Sequence, residues 1–299
     1  MDPFLTREHA EQGLTRARLR SRAVAHPYTA VNVVGAPPTT VIDRARAYVP
    51  LLARGECFSH VTAAAIWGAQ LPPSLESADE LHVTAVGRDL RARGRGVRGH
   101  RALAGTIRAR VHLGLPVIEP TDCWVQLAPL LAPDDLVAVG DRFVTGRRVE
   151  GGRSTPVTSV AELRRAIHRH AGGRGLKRAR WAIELVRVGV DSRQESRLRL
   201  HLVRAGFPEP RIGVAIDVGW PAPLHPDLAW PELRIAFEYE GDQHRSDRER
   251  WRRDIARKEA MEGAGWRVIR VTADDLPDAG FARRVRGIRE RARIALSGA

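Results

Sequence analysis

Residues 233 to 240 read Leu-Arg-Ile-Ala-Phe-Glu-Tyr-Glu, so that large apolar side chains alternate with small or charged ones. Successive side chains of a β-strand point to opposite faces of a sheet. The alternation therefore predicts a strand in a sheet with one covered apolar face and one face that carries carboxylates. The apolar face has Leu233, Ile235, Phe237 and Tyr239, and the opposite face has Arg234, Ala236, Glu238 and Glu240.

A third carboxylate, Asp227, lies shortly before this strand, in the stretch His-Pro-Asp-Leu-Ala-Trp. If the intervening Trp-Pro-Glu-Leu forms a hairpin with a two-residue turn, Trp230 faces Leu233 and Asp227 faces Ala236. Asp227 is then a diagonal neighbour of Glu238, at a spacing of roughly 6–8 Å. Carboxylates so placed on neighbouring strands can converge on one divalent cation with oxygen ligands.

Such a cluster predicts the hydrolysis of phosphodiester bonds with Mg²⁺ or Mn²⁺. The cation polarises a phosphoryl oxygen, orients a hydroxide and offsets the negative charge of the transition state. Without a cation, three carboxylates on one face repel one another and raise each other's pKa values. The alternative is an acidic sheet face that nearby arginines such as Arg234 neutralise. The position of Asp227 between a proline and an apolar strand favours the metal site, because Asp is a poor strand former.

The residues around these carboxylates predict the order helix, three strands, helix, strand. The first helix begins near Ser192, which with Glu195 fits a capping box in which the glutamate accepts the backbone N–H of the cap. Glu195 either serves this structural role alone or also points toward the metal site. Extended segments are expected at 211–220, 224–231 and 233–241, a helix at about 247–262 and a final strand at 266–271.

These segments resemble the very-short-patch-repair-endonuclease-like domain, which belongs to the PD-(D/E)xK restriction-endonuclease-like superfamily. The resemblance covers about residues 190–276 and lies in the stretches 195–207, 226–244 and 251–276. It implies that Asp227 takes the place of the first metal-binding Asp. Glu238 and Glu240 fall where the family pattern reads acid, any residue, acid, Gly.

Two further residues gain a role only through this resemblance. His244 matches a histidine that follows the glycine, and Asp254 matches an acid on the next helix that partners this histidine. The Lys of the superfamily motif is absent, because Glu240 occupies its position. His244 then takes over as a group that orients water or acts as general acid or base, with Lys258 as an alternative substitute.

The charge of the chain predicts its partner. The sequence has 49 basic and 35 acidic residues and a formal net charge of +14 at pH 7. Such an excess gives salt-dependent affinity for phosphate backbones, so DNA is the expected partner. Nearly all basic residues are Arg, with Lys177 and Lys258 as the two lysines. An Arg-rich codon bias explains that preference equally well, but it does not easily explain the surplus of basic over acidic residues.

Other features indicate the compartment. No apolar run approaches the roughly 20 residues of a membrane-spanning helix, so no membrane association is expected. The N-terminal residues include acids and lack the hydrophobic region of a secretory signal. Cys57 and Cys123 are too few for a disulfide framework or a cysteine zinc site. These features predict a cytoplasmic protein and leave its oligomeric state open.

The N-terminus predicts a winged helix-turn-helix-like head. Thr6 and Thr15 are each placed to cap a short helix, and Gly13 to end the first one. Leu19 can pack inward, and residues 26–34 are extended and β-branched, as a wing strand is. Four arginines on the second helix predict contacts with DNA phosphates, and a solvated face is the alternative. They are Arg16, Arg18, Arg20 and Arg22.

This head resembles the degenerate winged helix of the abortive-infection type IV toxin-antitoxin antitoxin family. Residues 114–131 resemble the middle of the same proteins, so the likeness covers roughly the first 150 residues. It implies a DNA-binding regulatory head and identifies no catalytic residue there. It leaves open whether a toxin or another protein partner exists.

The middle of the chain predicts a mixed α+β region. Helices are expected at 41–55, 59–69, 121–131 and 133–144, strands at 81–86 and 106–113, and a helical pair interrupted by glycines within 156–186. Eight arginines between Arg88 and Arg110 predict either a basic β-ribbon along a duplex or a solvated loop. Several histidines lack the spacing of metal ligands, so structural roles are expected for them. They are His60, His82, His100 and His112.

Together these features predict a multidomain protein of the α+β or α/β class. The predicted domains are a winged helix-turn-helix-like head at 1–36, an antitoxin-like α+β region at 37–175, and a restriction-endonuclease-like mixed sheet flanked by helices at 176–299. The predicted function is a Mg²⁺- or Mn²⁺-dependent DNA endonuclease with a basic N-terminal DNA-binding region. The alternative is a non-catalytic DNA-binding transcriptional regulator, antitoxin-like, in which the nuclease fold is only a scaffold.

Overall fold

The computed structural model describes residues 2–76, 79–87, 92–149, 152–220, 222–240, 248–276 and 279–297. They form two compact units, one of Met1–Gly146 with Ser154–Val186 and one of Arg147–Arg153 with Arg187–Ala299. Helices occur together with four sheets in the described ranges, so the predicted mixed α+β class is confirmed. No helix within these ranges has both the length and the apolar composition needed to cross a lipid bilayer.

The first residues of the first unit form a small antiparallel sheet. Its strands are β1 (Phe4–Leu5), β2 (Val24–Tyr28) and β3 (Val31–Val34), in the order β1-β3-β2. The extended segment predicted at 26–34 is therefore part of a hairpin. A short helix, α1 (Arg16–Leu19), packs its buried leucine against the sheet.

The predicted helix-turn-helix is wrong in its first helix. Thr6–Glu8 form a single 3-10 turn with Leu5 as its N-cap, and the Thr6 hydroxyl donates to Ala30 O at 3.2 Å instead of capping a helix. The polar residues of this segment give an α-helix no apolar face to bury, and a short helix without tertiary packing is unstable in water. Thr15 does cap α1, since its Oγ1 accepts a backbone N–H of the first turn at 3.2 Å.

A five-stranded mixed sheet forms the centre of the first unit. Its strands are β4 (Glu56–Phe58), β5 (Leu81–Val86), β6 (Val97–Ala102), β7 (Ala109–His112) and β8 (Leu115–Ile118), in the order β6-β5-β4-β8-β7. The predicted strand at 81–86 is confirmed as β5, which runs parallel to β6 and antiparallel to β4.

The arginine-rich segment between Arg88 and Arg110 is divided between the two edges of this sheet. β6 and β7 do not pair with each other, because three other strands lie between them. Edge strands tolerate exposed charges, since one of their edges needs no partner strand. The described part of the segment is thus neither one basic ribbon nor one loop, and residues 88–91 lie outside the described ranges.

Helices of the first unit lie at the predicted places, except that the helix expected at 41–55 ends at Tyr48 and the short helix Pro73–Glu76 was not predicted. The largest side chain of α5, Trp124, is fully buried and donates from Nε1 to Leu136 O at 2.9 Å. Cys57 and Cys123 are buried and form no disulfide. The helices are α2 (Val41–Tyr48), α3 (His60–Ile66), α4 (Pro73–Glu76), α5 (Pro120–Leu127), α6 (Pro133–Thr145), α7 (Val160–Arg169) and α8 (Leu176–Ile183).

The second unit is built on a four-stranded sheet whose last two strands are parallel. The predicted order helix, three strands, helix, strand is confirmed. The strands are β11 (Arg211–Ile212), β12 (Leu228–Trp230), β13 (Ile235–Tyr239) and β14 (Arg267–Val271), after a separate ribbon of β9 (Arg148–Val149) and β10 (Gly152–Arg153). The helices are α9 (Arg193–Arg204), α10 (Arg248–Gly263) and α11 (Ala279–Ser297).

The alternation predicted for β13 is confirmed. Ile235 and Phe237 lie in an apolar cluster with side chains of α9 and α11. Ala236 lies in a second cluster with Met261 of α10 and Val268 of β14. One face of the sheet is therefore covered by α9 and α11, and the other face, which carries the carboxylates, is next to α10.

The turn between β12 and β13 is longer than the predicted two-residue hairpin. Trp230 pairs with Ile235 rather than with Leu233. Pro231–Leu233 form a 3-10 turn, and Arg234 follows with φ +47°, in the left-handed region. Proline favours the first position of such a turn, and the leucine packs against the apolar cluster, so four residues are used to reverse the chain.

Candidate functional site

Asp227 lies one residue before β12, in a register that places it opposite Glu238. The sequence predicted Asp227 opposite Ala236, and the longer turn accounts for the difference. Residues that oppose each other in an antiparallel pair share a face, so the two carboxylates are direct neighbours. The Tyr239 N–H donates to Asp227 Oδ2 at 2.7 Å and orients this carboxylate.

Glu195 reaches this region from the first turn of α9. Ser192 is the N-cap of the helix, since its Oγ accepts the Glu195 N–H at 3.1 Å. The Glu195 carboxylate accepts the Asp191 N–H at 2.9 Å, one residue earlier than the predicted capping box. The predicted cap at Ser192 is confirmed, but the predicted return bond from Glu195 goes to Asp191 instead, and Glu195 is only 8% exposed.

Burial and mutual repulsion disturb both carboxyl groups. Burial, followed by the negative charge of Asp227, raises the pKa of Glu195 to about 7. Burial is also the largest cause that raises the pKa of Asp227 to about 6, with the charge of Glu238 adding to it and the Tyr239 N–H opposing it. A cation next to these groups would offset the repulsion that raises both pKa values.

Arginines lie beside the other two carboxylates. Arg257 Nη2 of α10 is 3.0 Å from Glu238 Oε1, and it donates to a backbone carbonyl as well. Arg270 Nη1 of β14 is 2.6 Å from Glu240 Oε1. The predicted neutralising residue, Arg234, donates instead to a carbonyl at the end of α10, at 3.5 Å. Arginines do neutralise this face, but they come from the parallel strand and its crossover helix.

The other residues that the sequence predicted for this site are not among the three neighbouring carboxylates. Glu240 is exposed at the end of β13, and Asp254 is exposed on α10. Lys258 Nζ is 3.7 Å from Glu262 Oε1 on the same helix. His244 lies outside the described residues, so its pairing with Asp254 stays a prediction. The structure brings together Asp227 with Glu238 and Glu195, at the ends of β12, β13 and α9.

We expect Ser192→Ala to lower the free energy of unfolding by about 1 kcal/mol, because α9 loses the side-chain acceptor at its N-terminus. Urea denaturation of the full chain measures this change. Ser297→Ala, in the exposed last turn of α11, is the matched control and should change the midpoint by far less. Equal effects of the two substitutions would show that the Ser192 cap does not stabilise the helix.

The predicted DNA-contacting arginines of the N-terminus are exposed. α1 ends at Leu19, so Arg20 is its C-cap and Arg22 lies beyond the helix. The shared helical face expected for these side chains is therefore limited to one turn. The set of Arg16, Arg18, Arg20 and Arg22 is exposed in full.

Three histidines that the sequence assigned to separate structural roles lie together in the first unit. The ligand atoms of His60, His82 and His100 all lie within 4.8 Å of one another. His100 Nε2 is 3.1 Å from His82 Nδ1, and the rings of His60 and His100 stack with centroids 3.8 Å apart. In the described ranges, no other group of three or more His, Cys, Asp or Glu side chains converges this closely. His112 stacks on Trp67 instead, at 4.2 Å.

This histidine trio opens into a cavity of about 1080 Å³ whose wall also carries basic residues and Trp181. Burial, followed by the neighbouring His100, lowers the pKa of His60 to about 3. The same two causes lower the pKa of His82 to about 4. Both imidazoles are therefore neutral near pH 7.

No family model and no solved structure matches the chain. Two curated proteins are similar to it, "Uncharacterized protein Rv2248" and "Uncharacterized protein MT2308", from two strains of Mycobacterium tuberculosis. Each is 28% identical over 116 residues, which are 39% of this chain and 43% of the relative. The chain thus matches less than half the length of either relative. The comparisons show a distant similarity to mycobacterial proteins and assign no family.

Proposed function

We propose that the chain is an endonuclease that hydrolyses phosphodiester bonds in DNA with Mg²⁺ or Mn²⁺. The observation that carries this proposal is the buried Glu195 beside the half-buried Asp227 and Glu238. Charged carboxylates are costly to bury next to one another unless a cation or a proton offsets their charge. Carboxylate oxygens are also the protein ligands that Mg²⁺ prefers.

The three carboxylates would hold the cation, which supplies Lewis-acid activation of a phosphoryl oxygen and of a water molecule when it is bound. Asp227 is oriented by the Tyr239 N–H, and Glu195 by the Asp191 N–H at the helix cap. Ligands that fixed donors orient in advance lose less free energy on binding than mobile ones.

Arg257 and Arg270 supply positive charge at the same place. Both guanidinium groups lie within 3.0 Å of a site carboxylate. A guanidinium matches the geometry of two phosphate oxygens, and it stays charged at all relevant pH values. These arginines are therefore the residues of the second unit best suited to contact the cleaved phosphate, in a site that lacks the usual lysine.

The basic charge supports DNA as the substrate. The net charge of +14 favours any polyanion, and the four N-terminal arginines are exposed. Contacts of this kind bind phosphates without reading bases. We therefore propose binding with little sequence preference in the first unit and cleavage in the second.

A non-catalytic DNA-binding regulator is the second candidate. The Glu238–Arg257 and Glu240–Arg270 ion pairs favour it, because they neutralise two of the acids without a cation. The site carboxylates also converge less closely than the histidine trio does. In this reading, the sheet and its helices serve as a scaffold for DNA binding.

A supercoiled-plasmid assay separates the two functions. We expect the purified full chain to nick or linearise the plasmid with Mg²⁺ or Mn²⁺, and EDTA to abolish the cleavage. Uncut plasmid with either cation, together with DNA binding that weakens steeply as salt increases, would establish the regulator instead. The same preparation serves both measurements, and a cooperative urea unfolding transition verifies that it is folded.

A further inference from the structure

We propose that His60, His82 and His100 form a binding site for a divalent transition-metal ion such as Zn²⁺. This site lies in the first unit and is separate from the acidic cluster of the second. It would operate whether or not the chain is a nuclease.

Three neighbouring strands position the trio. β5 and β6 pair in parallel with His82 opposite Arg98 and Thr84 opposite His100, so the two histidines are diagonal neighbours on one face. His60 comes two residues after β4 ends at Phe58. It is tied to β5 through its neighbour Ser59, whose N–H donates to His82 O at 2.9 Å. The convergence of the three rings thus follows from the strand order β4-β5-β6.

The distances within the trio are compatible with one shared metal ion. Two nitrogens bound to one Zn²⁺ at about 2.0–2.1 Å are roughly 3 Å apart in the usual coordination geometries. The 3.1 Å between His100 Nε2 and His82 Nδ1 agrees with this separation. His60 supplies the third nitrogen, within 4.8 Å of the other two.

The backbone at His60 is held in an uncommon conformation. Its φ is +50°, in the left-handed region that non-glycine residues rarely adopt. The buried helix α5 holds it there, since Gln126 Oε1 accepts the His60 N–H at 3.2 Å and Cys123 Sγ donates to His60 O at 3.4 Å. Strain that the surrounding structure maintains is characteristic of ligand sites.

The side chain of His60 also has the second interaction expected of a metal ligand. His60 Nδ1 lies 2.9 Å from Ser59 Oγ. When Nδ1–H donates to this hydroxyl, the lone pair of the ring is on Nε2, which becomes the ligand atom. Metal-binding histidines are usually oriented by such a bond from the other ring nitrogen.

The choice of metal follows from the donors. Three imidazole nitrogens suit Zn²⁺, Co²⁺ or Ni²⁺ and are poor ligands for Mg²⁺. The nearby positive charge of Arg98 is partly offset by Glu80, whose Oε2 lies 2.9 Å from the guanidinium. Arg174 and Lys177 line the same cavity, and their positive charge would favour a negatively charged further ligand, such as hydroxide.

Titration of the EDTA-treated and dialysed full chain with Co²⁺ tests the site. We expect one equivalent to bind with the intense visible d–d absorption of four-coordinate Co²⁺, and Zn²⁺ to displace it. His100→Gln and His60→Asn should lose this absorption or weaken Co²⁺ binding at least tenfold. Asn is chosen at His60 because it tolerates a positive φ. Both positions are only half-buried, unlike His82, so the variants should fold.

Two controls locate the bound metal. His168→Gln removes an exposed histidine of α7 and should bind Co²⁺ as the wild type does. Asp227→Asn disables the acidic cluster and should also keep the absorption. X-ray absorption of the wild-type Zn²⁺ complex should show imidazole nitrogens in the first coordination sphere. A spectrum with oxygen ligands only, or full Co²⁺ absorption in both trio variants, would overturn the proposal.

Discussion

Asp227→Asn is expected to reduce metal-dependent plasmid cleavage by about 100- to 1000-fold, a loss typical of removing one electrostatic group from an active site. The substitution replaces a charged ligand by a neutral amide of the same shape. The amide oxygen can still accept the Tyr239 N–H that Asp227 accepts at 2.7 Å, so the strand ends should keep their positions. The measurement is the initial rate of nicking at saturating Mg²⁺.

The matched control is Asp217→Asn. Asp217 is an exposed aspartate of the same unit, and its Oδ1 accepts the Gly219 N–H in a local turn at 3.1 Å. The Asp217→Asn variant should cleave DNA at the wild-type rate. Wild-type cleavage by Asp227→Asn would refute the assigned site. An equal loss in both variants would show that the effect is not specific to the acidic cluster.

The sequence predicted the second unit well where the information is local. The alternation of residues 233 to 240 predicted correctly that Ile235 and Phe237 share the apolar face and that Ala236 lies on the other, because the period of a strand is set by its own backbone. The helix expected at about 247–262 is found at Arg248–Gly263. The nearness of Asp227 to Glu238 was predicted, although in a register two residues away from the observed one.

That register could not be read from the hairpin sequence alone. Trp-Pro-Glu-Leu fits a two-residue turn by length, and the observed turn also uses Arg234 in a left-handed conformation. Trp230 and Ile235, which oppose each other across the observed turn, lie in one apolar cluster, and Leu233 packs against it. Both turn lengths put Leu233 on the apolar face, so the alternation does not distinguish them, yet the turn length decides which residue faces Asp227.

The histidine trio was missed because its members meet through strand order. His60, His82 and His100 have no common spacing in the sequence, and only the pairing of β5 with both β4 and β6 brings them together. Parallel neighbours far apart in the chain leave no local signal. The one local clue is that His82 lies inside the apolar run Leu-His-Val-Thr-Ala-Val, where a polar ring needs a buried partner.

The helix-turn-helix prediction relied on signals that were too short. Thr15 had a correct capping position, and α1 forms there with four residues. Its length leaves a single turn to present arginines to DNA. Capping residues mark where a helix can begin, but the burial of an apolar face decides whether it continues.

Between about pH 4 and pH 7, the second unit is expected to lose stability as the pH rises, through Glu195 and Asp227. Both groups have folded-state pKa values raised to about 7 and about 6. In this window the folded state holds more protons than the unfolded state, so the free energy of unfolding falls with increasing pH. The contribution is complete below the unfolded-state pKa values and is lost once the pH passes the folded-state values. Because the two shifts share one repulsion, the combined loss is about 1–3 kcal/mol.

Glu195→Gln isolates this contribution. The glutamine keeps an oxygen that can accept the Asp191 N–H, but it has no charge to bury beside Asp227. In urea denaturation from pH 5 to pH 8, the variant should show a flatter pH dependence and should exceed the wild type in stability at pH 8. Glu232→Gln, at an exposed position in the turn before β13, should leave the slope as in the wild type. Parallel curves for Glu195→Gln and the wild type would contradict the repulsion between Glu195 and Asp227.

The same experiment links stability to the proposed metal. A cation that binds the folded state alone stabilises it by mass action, most strongly where the site carboxylates are ionised. Millimolar Mg²⁺ should therefore raise the wild-type midpoint at pH 8 and have little effect at pH 5. Glu195→Gln should respond less at pH 8, since it lacks one ligand charge. Equal Mg²⁺ effects at both pH values, or in both proteins, would mean that the ion binds elsewhere on the chain. The site carboxylates would then not be its ligands.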